Sequence, residues 1–414
     1  MKPFKMTRLA LLASVASLAL LQPAFALDAQ AFVNRIQAVW GPLGYEFTFA
    51  TPQMDGDTIT VDATIGLTDM QGLEGPAKFD TKLTFSGVAE QADGGYTAKT
   101  VVLPDVEADI DADVAGHISL ADITLSDFYL PGSATVTPVQ MMQLVGAVRT
   151  GALTVTRAEA KVLSIDSMES ASTFAPAQGS ADLASLHSTL NVHGIAVDLS
   201  TVKDEDAQAG AVIDGLGLTS IRGDITGAFD WSMADGRLVA NQFLLDFADI
   251  GSVNITLDLL GLTPALLDKL AAANATIEAS GDPSSEAAQA AQMMMGMDLL
   301  QSLSIGGASV RYDDASLAPK LLEYFAKAQG IDKAQLVASL KAMVPQMIAG
   351  LGIPALADLV VPPVTAFLDD PKSLDVRLAP ASPTSLLVLM GAASNPASLI
   401  TVLGASVTAN QPAQ

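Results

Sequence analysis

Asp57-Thr58-Ile59-Thr60-Val61-Asp62-Ala63-Thr64-Ile65-Gly66-Leu67-Thr68 alternates from end to end. Ile59, Val61, Ala63, Ile65 and Leu67 point one way, and threonine, aspartate and glycine point the other. A period of two is the signature of a strand with one face in a core and one in water. The pattern recurs outward from there. Phe79, Leu83 and Phe85 alternate with Asp80, Lys82, Thr84 and Ser86, and Val253, Ile255, Leu257 and Leu259 alternate with Ser252, Asn254, Thr256 and Asp258. Asp93-Gly94-Gly95 and Asp235-Gly236 read as hairpin turns, where glycine accepts the positive φ that the turn requires. In Leu186 to Leu199 the apolar phase slips at His193-Gly194, which predicts a β-bulge at Gly194.

Beyond Thr263 the period changes. Thr263-Pro264 reads as an N-cap with proline in the first helical turn, opening Ala265–Ala273. Helices follow at Glu286–Leu303, Leu317–Ala328 and Asp332–Ile348, the last with Asp332 and Gln335 spaced as a capping box. Strands are expected at Leu303–Tyr312 and Leu374–Leu378, while Pro345, Pro354, Pro362 and Pro363 divide the remainder into short pieces. This reading gives an α+β fold, with a β-rich region at 27–262, built on a long, mostly antiparallel curved sheet, followed by a mainly helical, apolar region at 263–414 with two further strands packed on that sheet. The Ser/Ala/Gly/Pro-rich stretch 167–183 reads as a long loop or linker.

Composition narrows the function. The chain has 414 residues, 50% hydrophobic and 16% charged, with 21 Lys+Arg against 45 Asp+Glu and a net charge of −24. That apolar content excludes a disordered chain, and the sign of the charge excludes a nucleic-acid partner. With no cysteine there is no disulfide, thiolate metal site or Cys nucleophile. Lys2, Lys5 and Arg8 precede the uncharged run Leu9–Leu21, and Ala24-Phe25-Ala26 then supplies a small-x-small site. Residues 1–26 thus read as a signal peptide cleaved after Ala26, which sends the chain to the periplasm. Cleavage removes three cations and no acids, so the net charge becomes −24 − 3 = −27.

The densest charge feature is Asp105, Glu107, Asp109, Asp111 and Asp113, alternating with apolar residues. On a strand these carboxylates share one face at steps of about 7 Å. They read as a solvated acidic ladder, with Glu107, Asp109, Asp111 and Asp113 as the candidate ligands if a cation is held with help from a neighbouring strand. The EF-hand spelling fails, because Val114 and Leu120 stand where glycine and glutamate are needed. His187 and His193 are about 20 Å apart along a strand, too far to share a metal. HExxH, GxSxG and phosphate-loop motifs are absent, so neither an enzyme nor a cofactor is expected. Met293, Met294, Met295 and Met297 suit flexible packing or the lining of an apolar site.

The run Gly251-Ser252-Val253-Asn254-Ile255-Thr256-Leu257-Asp258-Leu259, followed by Ala308-Ser309-Val310-Arg311-Tyr312-Asp313-Asp314-Ala315-Ser316-Leu317 leading into amphipathic helices, resembles uncharacterised exported proteins of alphaproteobacteria. It is also similar to the AsmA-like and YdgA-like envelope proteins over the region from Thr219 onward. That resemblance implies a curved sheet whose apolar inner face carries lipid, and it carries over no functional residue. The expected function is therefore a non-enzymatic envelope protein that binds a lipid or other apolar ligand in a groove of the sheet and touches the membrane peripherally. The alternative is a structural or protein-interaction module of the periplasm with no ligand.

Overall fold

The computed structural model describes residues 27–67, 77–110, 115–176, 183–201, 206–350, 353–392 and 395–412. The expected signal peptide, 1–26, lies outside them. Strands make up 43% of the described residues and helices 35%, and all 21 strands belong to one antiparallel sheet.

The sheet is largely a meander in which successive long strands pair, with short strands set beside them. β1 (Tyr45–Phe49) and β2 (Gln53–Asp55) both lie along β3 (Thr58–Leu67), which pairs with β4 (Ala77–Ser86). β4 and the short β5 (Ala89–Glu90) both face β6 (Tyr96–Val102). Four long antiparallel runs follow, each interrupted once. They are β6 with β7 (Val106–Ile110), β8 (Gly116–Leu120) with β9 (Thr124–Leu130), β10 (Val145–Thr150) with β11 (Leu153–Arg157), and β12 (Ala160–Ile165) with β13 (Ser167–Pro176). On one side of the interruption β6, β9, β10 and β13 are paired in order, and on the other β7, β8, β11 and β12. Both rows end on β14 (Leu183–Asp198). From there β15 (Ser220–Ser232), β16 (Arg237–Phe247), β17 (Gly251–Leu260), β18 (Ser304–Asp314), β19 (Ser373–Leu378) and β21 (Ala405–Ala409) complete the order, with β20 (Thr384–Ser385) beside β18.

The interruptions line up as a seam across the sheet. Leu103 donates to the Ile123 carbonyl, Ala121 to Ala152 and Asp166 to His193. A bulge leaves backbone N–H groups off the ladder, and aspartate side chains can take them. Here Asp105 accepts from the Asp122 N–H and Asp224 from the Gly194 N–H. Gly194, at φ +68°, is where the pairing of β14 with β15 shifts register, between Val192 and Ile195, so the expected bulge is present.

The α+β division is overturned. β18 to β21 extend the same sheet through the region expected to be mainly helical, so four strands, not two, follow residue 263. The helices are insertions between strands. Their 3.6-residue pattern fills long stretches of sequence, whereas a short strand such as Ala405–Ala409 is recognisable only beside its partner. The 167–183 linker is corrected as well: Ser167–Pro176 is a strand paired to β10 and β14, its Ser172 hydroxyl 2.8 Å from that of Ser188, and 177–182 lies outside the described residues. Small polar residues suit a strand when a neighbouring hydroxyl satisfies them.

The helices are α1 (Ala29–Trp40), α2 (Pro138–Gln143), α3 (Ala207–Leu216), α4 (Pro264–Ala279), α5 (Glu286–Ser302), α6 (Leu317–Ala328), α7 (Lys333–Ala349), α8 (Pro354–Asp369), α9 (Leu386–Ala392) and α10 (Pro396–Val402). Thr263 caps α4, and Asp332 with Gln335 closes a capping box on α7. Pro345 does not break α7, nor do Pro362 and Pro363 break α8. Asp28 caps α1 through the N–H groups of Gln30 and Ala31. The stripe Phe32, Val33, Ile36 and Val39 on α1 packs on β3, β4, β6 and β9 as the larger core. A smaller core joins Leu322, Ala326 and Leu336 of α6 and α7.

Candidate functional site

Registers across the meander assemble one apolar row. In order the partners are Ile59, Phe85, Val101, Leu125, Val148, Ser170, Leu190, Gly227, Phe243, Ile255, Val310, Val376 and Val407. Eleven of the thirteen are hydrophobic, because period-two patterning keeps each strand's apolar set on one face. The first three are buried beneath α1. Further along the cover fails: Val148, Ile255, Val310 and Val376 remain 36–48% exposed. Exposed β-branched residues aligned on neighbouring strands form a patch, unlike singly scattered ones.

The row passes an apolar cavity of about 270 Å³ at the C-terminal end of α1. Ile36, Trp40, Tyr45, Phe47, Phe79, Phe85, Leu125 and Phe128 are among its lining residues. Its aromatic groups are fixed by edge and stacking contacts: Trp40 meets Tyr45 edge-on at 5.3 Å and stacks on Phe128 at 6.2 Å. The Trp40 indole N–H is buried with no hydrogen-bond partner among the described residues. An apolar cavity of this kind suits a hydrocarbon chain. Sequence reading located the strands but not this row, because the registers that align residues hundreds of positions apart are set only in the folded sheet.

The acidic ladder is organised differently. Glu107 and Asp109 lie on β7, opposite Ser119 and His117 of β8. His117 stands between them, Nδ1 at 2.8 Å from Asp109 and Nε2 at 2.6 Å from Glu107, while the Ser119 hydroxyl donates to Glu107 at 2.9 Å. Asp111 and Asp113 lie outside the described residues. Among the described residues no group of three or more His, Asp or Glu side chains is placed to hold a metal ion. His187 pairs with Asp230 at 2.7 Å and His193 with Asp224 at 3.5 Å, both across to β15.

Only the imidazolium can donate from both ring nitrogens at once, so hydrogen bonds to Asp109 and then Glu107 raise the His117 pKa above 6.5. Glu107 is lowered in turn, first by its bond with His117 and then by Ser119. The raised histidine contributes stability in full below about pH 6.5 and loses it as pH rises through its folded value. The lowered glutamate contributes above its unfolded value and loses it as pH falls through the folded one. The pairing is thus strongest between the two. In an NMR titration His117 is expected to change charge above pH 6.5 and to return toward that value in Glu107→Gln/Asp109→Asn. A midpoint unmoved by the double substitution would show that the carboxylates do not hold the ring.

The methionines of α5 do not enter a core. Met293, Met294 and Met297 are exposed, as are Leu387, Val388 and Met390 on α9, which packs against α5. Among the described residues no helix is long and apolar enough to cross a membrane.

A family model described as "Uncharacterized protein" matches residues 244–410, the stretch from the end of β16 through β21. A comparison with curated proteins finds no match.

Proposed function

We propose that the protein is an exported, non-enzymatic envelope protein that binds a lipid or another apolar ligand along the apolar face of its sheet. One observation carries this reading: the apolar row from the aromatic cavity to β19, broken at Ser170 and Gly227, with Val148, Ile255, Val310 and Val376 left in contact with solvent. Covering such residues releases roughly 25 cal/mol per Å² of apolar surface, and a flexible acyl chain follows a row that no rigid side chain fills. The exposed side chains of α5 and α9 offer a surface for peripheral contact with a bilayer without a membrane-spanning element.

Native mass spectrometry of gently purified protein tests the reading. The expected result is wild type carrying a phospholipid or fatty-acid adduct that is lost from Val310→Asp/Val376→Asp, since a charge brought against the chain must be desolvated. A clean apo mass, together with no uptake of a fluorescent fatty acid by wild type, would overturn it and leave a structural role.

A further inference from the structure

The sheet's other face is polar, and β16 to β19 enclose a groove of about 370 Å³ there. Two successive rungs make its floor. In one, Asn254 faces Arg311, which faces Asp375; in the next, Thr256 faces Ser309, which faces Arg377. Alternation along β17 puts Asn254 and Thr256 opposite the apolar set of Val253, Ile255 and Leu257, so this groove is separate from the lipid row.

The groove's charges are matched. Arg311 is 13% exposed at its side chain and holds Asp313 with two nitrogens while donating to the Gln411 carbonyl. Arg237 makes a two-pronged contact with Asp258, and Arg377 meets Asp375 at 3.4 Å. No surplus charge remains to draw an ion. Two acceptors are nevertheless left over: Asn254 Oδ1 and Asp375 Oδ1 are buried without hydrogen-bond partners among the described residues. Asp375 as a residue is only 8% exposed.

A buried acceptor without a donor costs free energy that an incoming donor recovers. A cation meets Arg311 and Arg377 beside those acceptors, and an anion adds acceptors where donors are lacking. A hydroxyl group brings no charge, and it both donates and accepts. It can therefore serve Asn254, Asp375 and the hydroxyl pair of Thr256 and Ser309, themselves 2.7 Å apart. Arg377, which meets the Asp375 carboxylate at 3.4 Å, must swing aside to expose it. Asn254 and Asp375 are two strand spacings apart, about 10 Å, which more than one sugar ring is needed to span. We infer that the groove over Asn254, Arg311 and Asp375 binds a neutral carbohydrate of two or more sugar units.

The test uses saturation-transfer NMR with maltotriose and N,N′-diacetylchitobiose at millimolar concentration, with sulfate as the anionic probe. Phosphatidylcholine vesicles with and without a galactolipid separate a lipid-borne sugar from a free one. Wild type is expected to bind a neutral probe, free or vesicle-borne, and not sulfate, with the Asn254 side-chain amide resonance shifting on titration. Asn254→Ala should weaken binding about tenfold. The isosteric Asp375→Asn should weaken it likewise and admit sulfate, because the negative charge between Arg311 and Arg377 is removed. The amide shift reads the site in wild type even if a variant does not fold. Binding of sulfate alone, binding unchanged in both variants, or no binding of any probe would overturn the inference.

Discussion

Phe32→Ala is expected to lower the stability of the N-terminal core by about 3–5 kcal/mol, the usual cost of replacing a fully buried phenylalanine by alanine. Phe32 has no solvent exposure, and its ring meets Phe85 edge-on at 4.9 Å and Tyr96 at 5.4 Å. Truncation removes both aromatic contacts and leaves a hole between α1 and the sheet that neither neighbour can fill without moving its backbone. Against a total stability of about 5–15 kcal/mol typical of folded domains, roughly a fifth or more is lost. Trp40 lies at the end of the same helix and Trp231 in the middle of the sheet, and these are the chain's 2 tryptophans. A Trp231→Phe background therefore lets urea unfolding followed by fluorescence report the α1 core alone. A change of less than about 1 kcal/mol would mean that α1 does not depend on this residue.

Gly194→Val is expected to cost about 2–4 kcal/mol, from strain of a left-handed backbone and from collision. Gly194 has φ +68°, and a Cβ there would sit 2.1 Å from the Asp166 carboxylate. β-branching also disfavours that backbone region. Because Asp166 lies between β12 and β13, the clash falls where the two rows of the sheet meet on β14. The check is a double-mutant cycle: Asp166→Ala should recover the part of the Gly194→Val loss that comes from the carboxylate, and neither the backbone part nor the contact with the remaining Cβ at 2.8 Å. Strict additivity of the two substitutions would show that the seam is not packed as described.

Much of this architecture was legible in the chain. The strand at Thr58–Leu67, the turns at Gly94 and Gly236, the bulge at Gly194 and the caps at Thr263 and Asp332 follow from local chemistry, and each is present. What was missed depends on partners distant in sequence. The stripe of α1 has helical spacing, but it directly follows the apolar leader-like run and was absorbed into the β-rich region. β13 is built from serines and small residues whose strand character rests on β10 and β14. β20 and β21 are too short to show a period. His117 is a lone histidine in sequence, and only the β7–β8 hairpin brings it between Glu107 and Asp109. The apolar row is the extreme case, since no window of sequence contains two of its members from different strands in register.

Since the long strands pair mostly with those before and after them in the chain, the sheet is close to one-dimensional. Cooperativity passes from each hairpin to the next, as in repeat arrays, and contacts of α2 with α4 and of α3 with α6 tie together parts of the chain that are distant in sequence. Stability is then a profile along the chain, highest where α1 covers the sheet and lowest where the apolar face lies open. Folding can start at the α1 core and advance by adding adjacent hairpins, most of them closing short loops, while the β17–β18 and β18–β19 pairings must span the helical insertions. The same arrangement lets a lineage lengthen or shorten the sheet by a hairpin without rearranging the rest. A ligand lying along the open stretch would then bridge hairpins that the backbone couples only in series.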